Sequence, residues 1–251
     1  MTDSLKPLRS SKSLPISDLR RWRYLRLKLL QSIGRLVLPS YRFNWPDMSW
    51  WRNQEFTDYL AAFDEIGGFN SERRWNLYQL ARWSSSASGE TAECGVWIGA
   101  GSYAICWAFE SAGERRTHHA FDSFEGLSEP SESVDGSYWR QGDLSSGLSI
   151  AARNLSKYDQ VVLHPGWIPE RFHEVADSRF AFVHIDVDLY QPTLDSLEFF
   201  YPRLSTGALL VCDDYGSDLC PGPTAAMDRF FADRPEHIVW LSPGGAFIVK
   251  A

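Results

Sequence analysis

A chain of 251 residues, 44% apolar and 14% aromatic, suits one α/β domain with an appendage and excludes a disordered polymer. No apolar run approaches about 18 residues, so the sequence predicts no membrane-spanning helix. Residues 1–42 carry ten Lys and Arg against Asp3 and Asp18, whereas the remainder carries 15 basic and 30 acidic residues, and an acidic body argues against nucleic acid as the partner.

Residues 1–16 are rich in Ser, Lys and Pro and are expected to be mobile. They lack the apolar core of a secretory signal, so a cytoplasmic location is expected. Leu19, Trp22, Leu25, Leu29, Ile33 and Leu36 recur at helical steps and predict a helix over residues 17–38, capped by Ser17. Its opposite face is arginine-rich. Such a helix can make a peripheral contact with an anionic membrane surface. The reading preferred here is packing on its own domain or on a second subunit, which makes a homo-oligomer the expectation. An aromatic loop follows over residues 39–51. Helical spacing resumes over 53–66, ending at Gly67-Gly68, and over 71–84, with Ser71 as a possible cap. The rings of this region are read as core. Residues 1–85 thus form a tail and helical cap, and residues 86–251 form a second domain.

That second domain alternates strand and helix. Strands are predicted over 91–94, 117–121, 160–163, 180–185 and 208–212, with closing strands over 237–241 and 246–250. Helices are predicted over 102–111, 148–155, 168–175, 193–201 and 223–233. This pattern predicts a doubly wound, mostly parallel seven-stranded sheet covered on both faces, with ligands beyond the carboxyl ends of its strands. Cys94, Cys106, Cys212 and Cys220 show no CxxC spacing and read as reduced, mostly buried thiols.

Three strand ends carry chemistry. The run Phe180–Ile185 leads into Asp186 and Asp188, and the run 208–212 leads into Asp213-Asp214. Carboxylates gathered from neighbouring strand ends repel one another unless a cation joins them, and oxygen donors favour a hard ion such as Mg²⁺. Capping of the following helices is the plainer reading. The first strand turns through Gly95, Gly99 and Gly101, which allows a ligand close to the backbone. The spacing is not GxGxxG. Asp122 closes the second strand, where an acid can hold ribose hydroxyls or cap its loop.

The segments Glu93–Gly101, Phe121–Leu127, His184–Tyr190 and Asp213–Gly216 resemble the macrocin O-methyltransferase (TylF/MycF-type) family over roughly residues 70–250. The resemblance implies S-adenosylmethionine (SAM) over the glycine turn, Mg²⁺ held by the acids, a final antiparallel strand, and a small-molecule hydroxyl acceptor on a sugar or glycoside. It matches Asp186, Asp213 and Asp214 to the metal ligands. Glu93, Gly95 and Asp122 match cofactor positions; Gly99, Gly101 and Ser123 lie in the same matched segments, and Ser102 directly follows the first. The Gln141-Gly142-Asp143 turn either holds the adenine end of SAM or is an ordinary turn. Asp188, together with the ligand Asp186, is the expected catalytic group, with Asp188 as the base. The chain departs from the family pattern in the 128–138 loop, which matches no motif, and at His164, which stands where Lys is expected.

Two rival readings remain open on the sequence. Asp186-Val187-Asp188 is an Asp-x-Asp motif that a metal-dependent glycosyltransferase could use, although the second acid pair then has no job. A methyltransferase fold kept as a non-catalytic binding subunit is the other.

Overall fold

A computed structural model describes residues 18–37, 49–66 and 70–251. The chain divides into two compact units, Met1–Asn53 and Gln54–Ala251. In the first, helix α1 spans Asp18–Val37, and a single 3-10 turn spans Ser49–Arg52. Most described apolar side chains of α1, among them Trp22, Leu29, Ile33 and Leu36, are exposed, and Leu27 is half-buried. The expected cap Ser17, the loop residues 38–48 and the Gly67-Gly68 stop lie outside the described residues. No helix among the described residues is long and apolar enough to cross a membrane.

The second unit opens with α2 (Gln54–Ala62) and α3 (Ser71–Trp83). Phe56, Tyr59 and Phe63 are buried and pack against Trp75, Tyr103 and Trp107, so these rings are core. Ser71 does not cap α3. Asn70 stands at the N-cap, with no side-chain capping bond.

The sheet then builds from β1 (Glu90–Cys94), α4 (Ala100–Ser111), β2 (His118–Asp122), a short α5 (Glu132–Asp135), α6 (Leu148–Asn154) and β3 (Val161–Pro165). It continues with β4 (Phe180–Ile185), α7 (Tyr190–Phe200), β5 (Leu204–Cys212), α8 (Pro221–Phe231), β6 (Val239–Trp240) and β7 (Ala246–Val249). The strand order is β3-β2-β1-β4-β5-β7-β6, with β7 antiparallel to both β5 and β6. The helix expected over 168–175 is instead a 3-10 turn at Phe172–Val175, closed by i to i−3 bonds such as the Phe172 N–H to the Pro169 carbonyl at 3.0 Å.

The β4 run is buried on both faces, as its unbroken apolar sequence requires of a central parallel strand. Residue alternation separates the two faces. Ala92 and Cys94 of β1 join Ala181, Val183 and Ile185 of β4 in an apolar core with Leu197, Phe200, Met227 and Phe230. The opposite face carries Thr91, Glu93, His118 and His184, all buried. The sheet winds outward in both directions from the β1–β4 pair, so the crevice of such a fold lies beyond the carboxyl ends of those two strands.

Candidate active site

At that crevice the backbone pairing runs on past the strand ends. The Asp186 N–H donates to the Cys94 carbonyl at 2.8 Å, and the Asp213 N–H donates to the Ile185 carbonyl at 2.9 Å. This continuation fixes residues 95, 186 and 213 side by side. Gly95 has φ +84°, and a Cβ there would meet the Asp186 carbonyl oxygen at 1.8 Å, so the position accepts only glycine. A cavity of about 450 Å³ opens above them.

Glu93, Gly95, Gly101, Asp122, Ser123, Asp186, Asp188, Asp213 and Asp214 line this cavity, whereas Gly99, Ser102, Gln141 and Asp143 do not. Gly101 makes room for a protein group: a Cβ there would stand 1.9 Å from Glu93 Oε1. Ser102 is fully buried, and its hydroxyl donates to Glu93 Oε2 at 2.5 Å. Asp143 braces its own loop, accepting from the Arg140 N–H at 2.9 Å. Asp122 Oδ2 accepts from the N–H groups of Val96 (2.7 Å) and Trp97 (2.8 Å), and Oδ1 accepts from Phe124 (2.6 Å). Its carboxylate therefore shapes the loop after β1, where Trp97 holds a left-handed φ of 50°.

The four acids form two neighbouring groups. Ligand atoms of His184, Asp186 and Asp213 lie within 4.8 Å of one another, as do those of Asp188, Asp214 and Cys220. Asp188 has φ 61°, which curls the chain back so that its N–H donates to Asp214 Oδ2 at 3.2 Å. Burial, together with the charges of Asp213 and Asp214, pushes the Asp186 carboxyl up to about 7. Burial and the neighbouring Asp214 and Asp186 likewise hold Asp188 well above the carboxylate range. Burial works against the Asp213 charge, but Arg73 and His184 outweigh it and hold that carboxyl below its usual range.

Two arginines of α3 reach into this cluster. Arg73 forms ion pairs with Asp213 and Asp214, and its Nη2 donates to the Asp213 carbonyl at 2.7 Å and to Asp214 Oδ1 at 3.0 Å. Arg74 is buried between Glu65, at 3.2 Å, and Asp186, with Nη1 3.5 Å from Oδ2. Sequence reasoning passed over both. The signal was present for Arg74, which shares the core-facing register of Leu77, Tyr78 and Ala81. His184 is also wholly buried. Its Nδ1–H donates to Glu93 Oε1 at 2.8 Å, while Nε2 lies 3.5 Å from Asp213 Oδ1 without a hydrogen bond. Burial opposes its charge, but Asp213 and Glu93 keep the imidazole protonated, raising its pKa to about 10.

Aromatic and apolar side chains from Trp97, Tyr138, Trp139, Trp167 and Leu219 wall the rest of the cavity. Trp139 is fixed by donating from Nε1 to Cys220 Sγ at 3.1 Å. The segment carrying it is pinned by Asp135, whose Oδ1 accepts from the Tyr190 N–H at 2.7 Å and whose Oδ2 accepts from the Ser131 N–H at 2.8 Å. Oxygen donors in mutual repulsion fit a hard divalent cation, and the three expected ligands divide between the two groups, Asp186 and Asp213 in one and Asp214 in the other. All four cysteines are buried and unpaired, and Cys220 borders the acids.

Comparison with known proteins places the chain among relatives. The chain is 35% identical over 144 residues to a tetracenomycin-type 4'-O-methyltransferase of Streptomyces olivaceus, covering 53% of this chain and 55% of that protein. It is 32% identical over 145 residues to mycinamicin III 3''-O-methyltransferase of Micromonospora griseorubida, covering 53% and 57%. The chain thus matches little more than half the length of these relatives. The solved structure of the O-methyltransferase NovP superposes with a TM-score of 0.62 at 27% identity, covering 72% of this chain and 80% of that one. The calicheamicin methyltransferase CalS11 shares the fold along 99% of both chains, with a TM-score of 0.63 at 19% identity. The macrocin O-methyltransferase (TylF) family profile matches residues 79–237, so the chain belongs to that family.

Proposed function

We propose that the protein is a SAM-dependent O-methyltransferase that requires a divalent cation and acts on a hydroxyl of a sugar or glycosylated metabolite. The observation that carries this reading is the meeting of Asp186, Asp188, Asp213 and Asp214 with the Gly95–Gly101 turn on one cavity. Relatives named for methylation of glycosylated metabolites support the acceptor class.

The Gly95–Gly101 turn would hold SAM, which when bound would supply a methyl group on a sulfonium centre for transfer to an acceptor oxygen that the cavity walls position. Asp122 serves the cofactor by holding the Val96–Trp97 backbone in place beside it. A divalent ion among Asp186, Asp213 and Asp214 supplies positive charge that lowers the pKa of the acceptor hydroxyl. Asp188, on the same wall, receives the hydroxyl proton on its carboxylate. The aromatic walls around Trp139 and Trp167 exclude water and offer flat apolar faces to a sugar ring.

The experiment is to mix the protein with isotopically labelled SAM and a panel of deoxysugar glycosides, with Mg²⁺ or with EDTA, and to follow label in the product. Transfer in Mg²⁺ that stops in EDTA is expected. SAM binding with equal transfer in EDTA removes the cation from the proposal, and the absence of SAM binding removes the whole reading. Assembly of more than one copy through the exposed apolar side chains of α1 belongs to the same proposal. Deletion of residues 1–38 is expected to lower the sedimentation mass to that of a monomer.

A further inference from the structure

The acid cluster already holds a cation of its own. Arg73 satisfies Asp213 and Asp214 together, and it does so with the carboxylates that an ion would need. The contact is incomplete on the arginine side, because Arg73 Nε is buried without a hydrogen-bond partner. Beyond Arg73 lies a second hollow of about 570 Å³, lined by Tyr215, Ser217, Trp240 and Gly245 together with Arg73 and Asp213. Arg73, Asp213 and Ser217 border both this hollow and the main cavity, so the guanidinium stands in the partition between them.

We propose that Arg73 sets the affinity of the site for its divalent ion, acting as a built-in counter-ion that must give up Asp213 and Asp214 when the ion takes them. The inference rests on the cation site argued above and adds a residue to it. Two positive centres on the same pair of carboxylates repel at close range, the more strongly because the site is shielded from water. One must leave, and the second hollow gives the guanidinium a place to go. There the rings of Tyr215 and Trp240, edge to face with centroids 5.9 Å apart, can receive it. The competition is reciprocal: whatever the ion gains by displacing Arg73, Arg73 subtracts from ion affinity. It also keeps the ion-free protein from carrying two unpaired buried carboxylates.

The test uses the full chain stripped with EDTA and Mg²⁺ alone as titrant. Arg73→Met is expected to tighten the Mg²⁺ dissociation constant at least tenfold by calorimetry, about 1.4 kcal/mol. Arg73→Lys keeps the charge without the two-pronged geometry and is expected to fall between wild type and Arg73→Met. Melting temperatures give a second readout. Arg73→Met is expected to melt below wild type in EDTA and to gain more than wild type from Mg²⁺. If Arg73→Met is too unstable to titrate, a Mg²⁺ affinity of Arg73→Lys no tighter than wild type overturns the idea. Mg²⁺ binding by wild type with equal or weaker binding by Arg73→Met overturns the role of Arg73 and leaves the cation site intact. Absence of Mg²⁺ binding in every form overturns the cation site itself, and this inference with it.

Discussion

Glu93 and His184 face each other in register on β1 and β4, and the imidazole Nδ1–H donates to the carboxylate at 2.8 Å with neither side chain more than 1% exposed. From this contact a polar chain crosses the core. Glu93 accepts from Ser102, the Ser102 hydroxyl meets His118 Nε2 at 2.9 Å, and His118 Nδ1 meets the Thr91 hydroxyl at 2.8 Å. The chain links five buried side chains, from His184 beside the acid cluster through Glu93, Ser102 in the first turn of α4 and His118 to Thr91.

The tightness of this chain is open to test at Gly101. In an exposed helix Gly→Ala stabilises by about 1 kcal/mol. Here the new methyl would stand 1.9 Å from Glu93 Oε1, so the sign reverses. Gly101→Ala is expected to cost roughly 1–3 kcal/mol in urea unfolding. An unchanged or higher midpoint would show that Glu93 is free to move.

His118 predicts acid sensitivity. Burial lowers its pKa to about 3, whereas an unfolded histidine titrates near 6.5. The unfolded chain therefore binds the proton first as pH falls. The neutral ring contributes its full stability above about pH 6.5 and loses about 1.4 kcal/mol per pH unit between there and about pH 3. His119, also lowered by burial, adds in the same direction. His118→Gln is expected to flatten the dependence of unfolding free energy on pH between 6.5 and 4.5. An unchanged slope would place the acid sensitivity elsewhere.

For the acids the expected result is loss of transfer without loss of fold. Asp186→Ala and Asp214→Ala are each expected to reduce Mg²⁺-dependent methylation to below about 1% of wild type while circular dichroism stays native. Activity that persists at the wild-type level in EDTA would contradict it.

Asp122→Asn separates the cofactor side from the cation side. An amide keeps one acceptor oxygen where the carboxylate supplies two, so the Val96 and Trp97 N–H groups lose their charged partner. SAM affinity is expected to fall roughly tenfold, with the Mg²⁺ dissociation constant unchanged in the same calorimeter. Equal affinity for SAM would remove Asp122 from the cofactor side.

How far the residues alone foretell this molecule depends on whether neighbours or distant elements decide. The run Phe180–Ile185 is a strand in both readings, because an unbroken apolar stretch before two acids has one comfortable home at the centre of a parallel sheet. The mostly parallel seven-stranded sheet and its antiparallel last strand also agree with the expectation. The Arg73 contacts were hidden because they join α3 to a strand end 140 residues further on, a relation no local spacing reports. The curl at Asp188 was hidden for a different reason: a left-handed φ on a non-glycine residue is imposed by what surrounds it. Gly101 looked like a place for a ligand to approach the backbone, and the group that approaches it is Glu93.

The anchoring of Asp135 bears on attempts to redesign the acceptor wall. Its Oδ1 accepts from the Tyr190 N–H at the start of α7, and a Cβ on Gly222 in α8 would fall 2.1 Å from that same oxygen. A chimaera that imports the 123–147 segment from a relative must therefore bring an acid at 135 and keep glycine at 222. Otherwise the transplanted wall loses its footing on both helices, and an inactive hybrid would say nothing about acceptor choice.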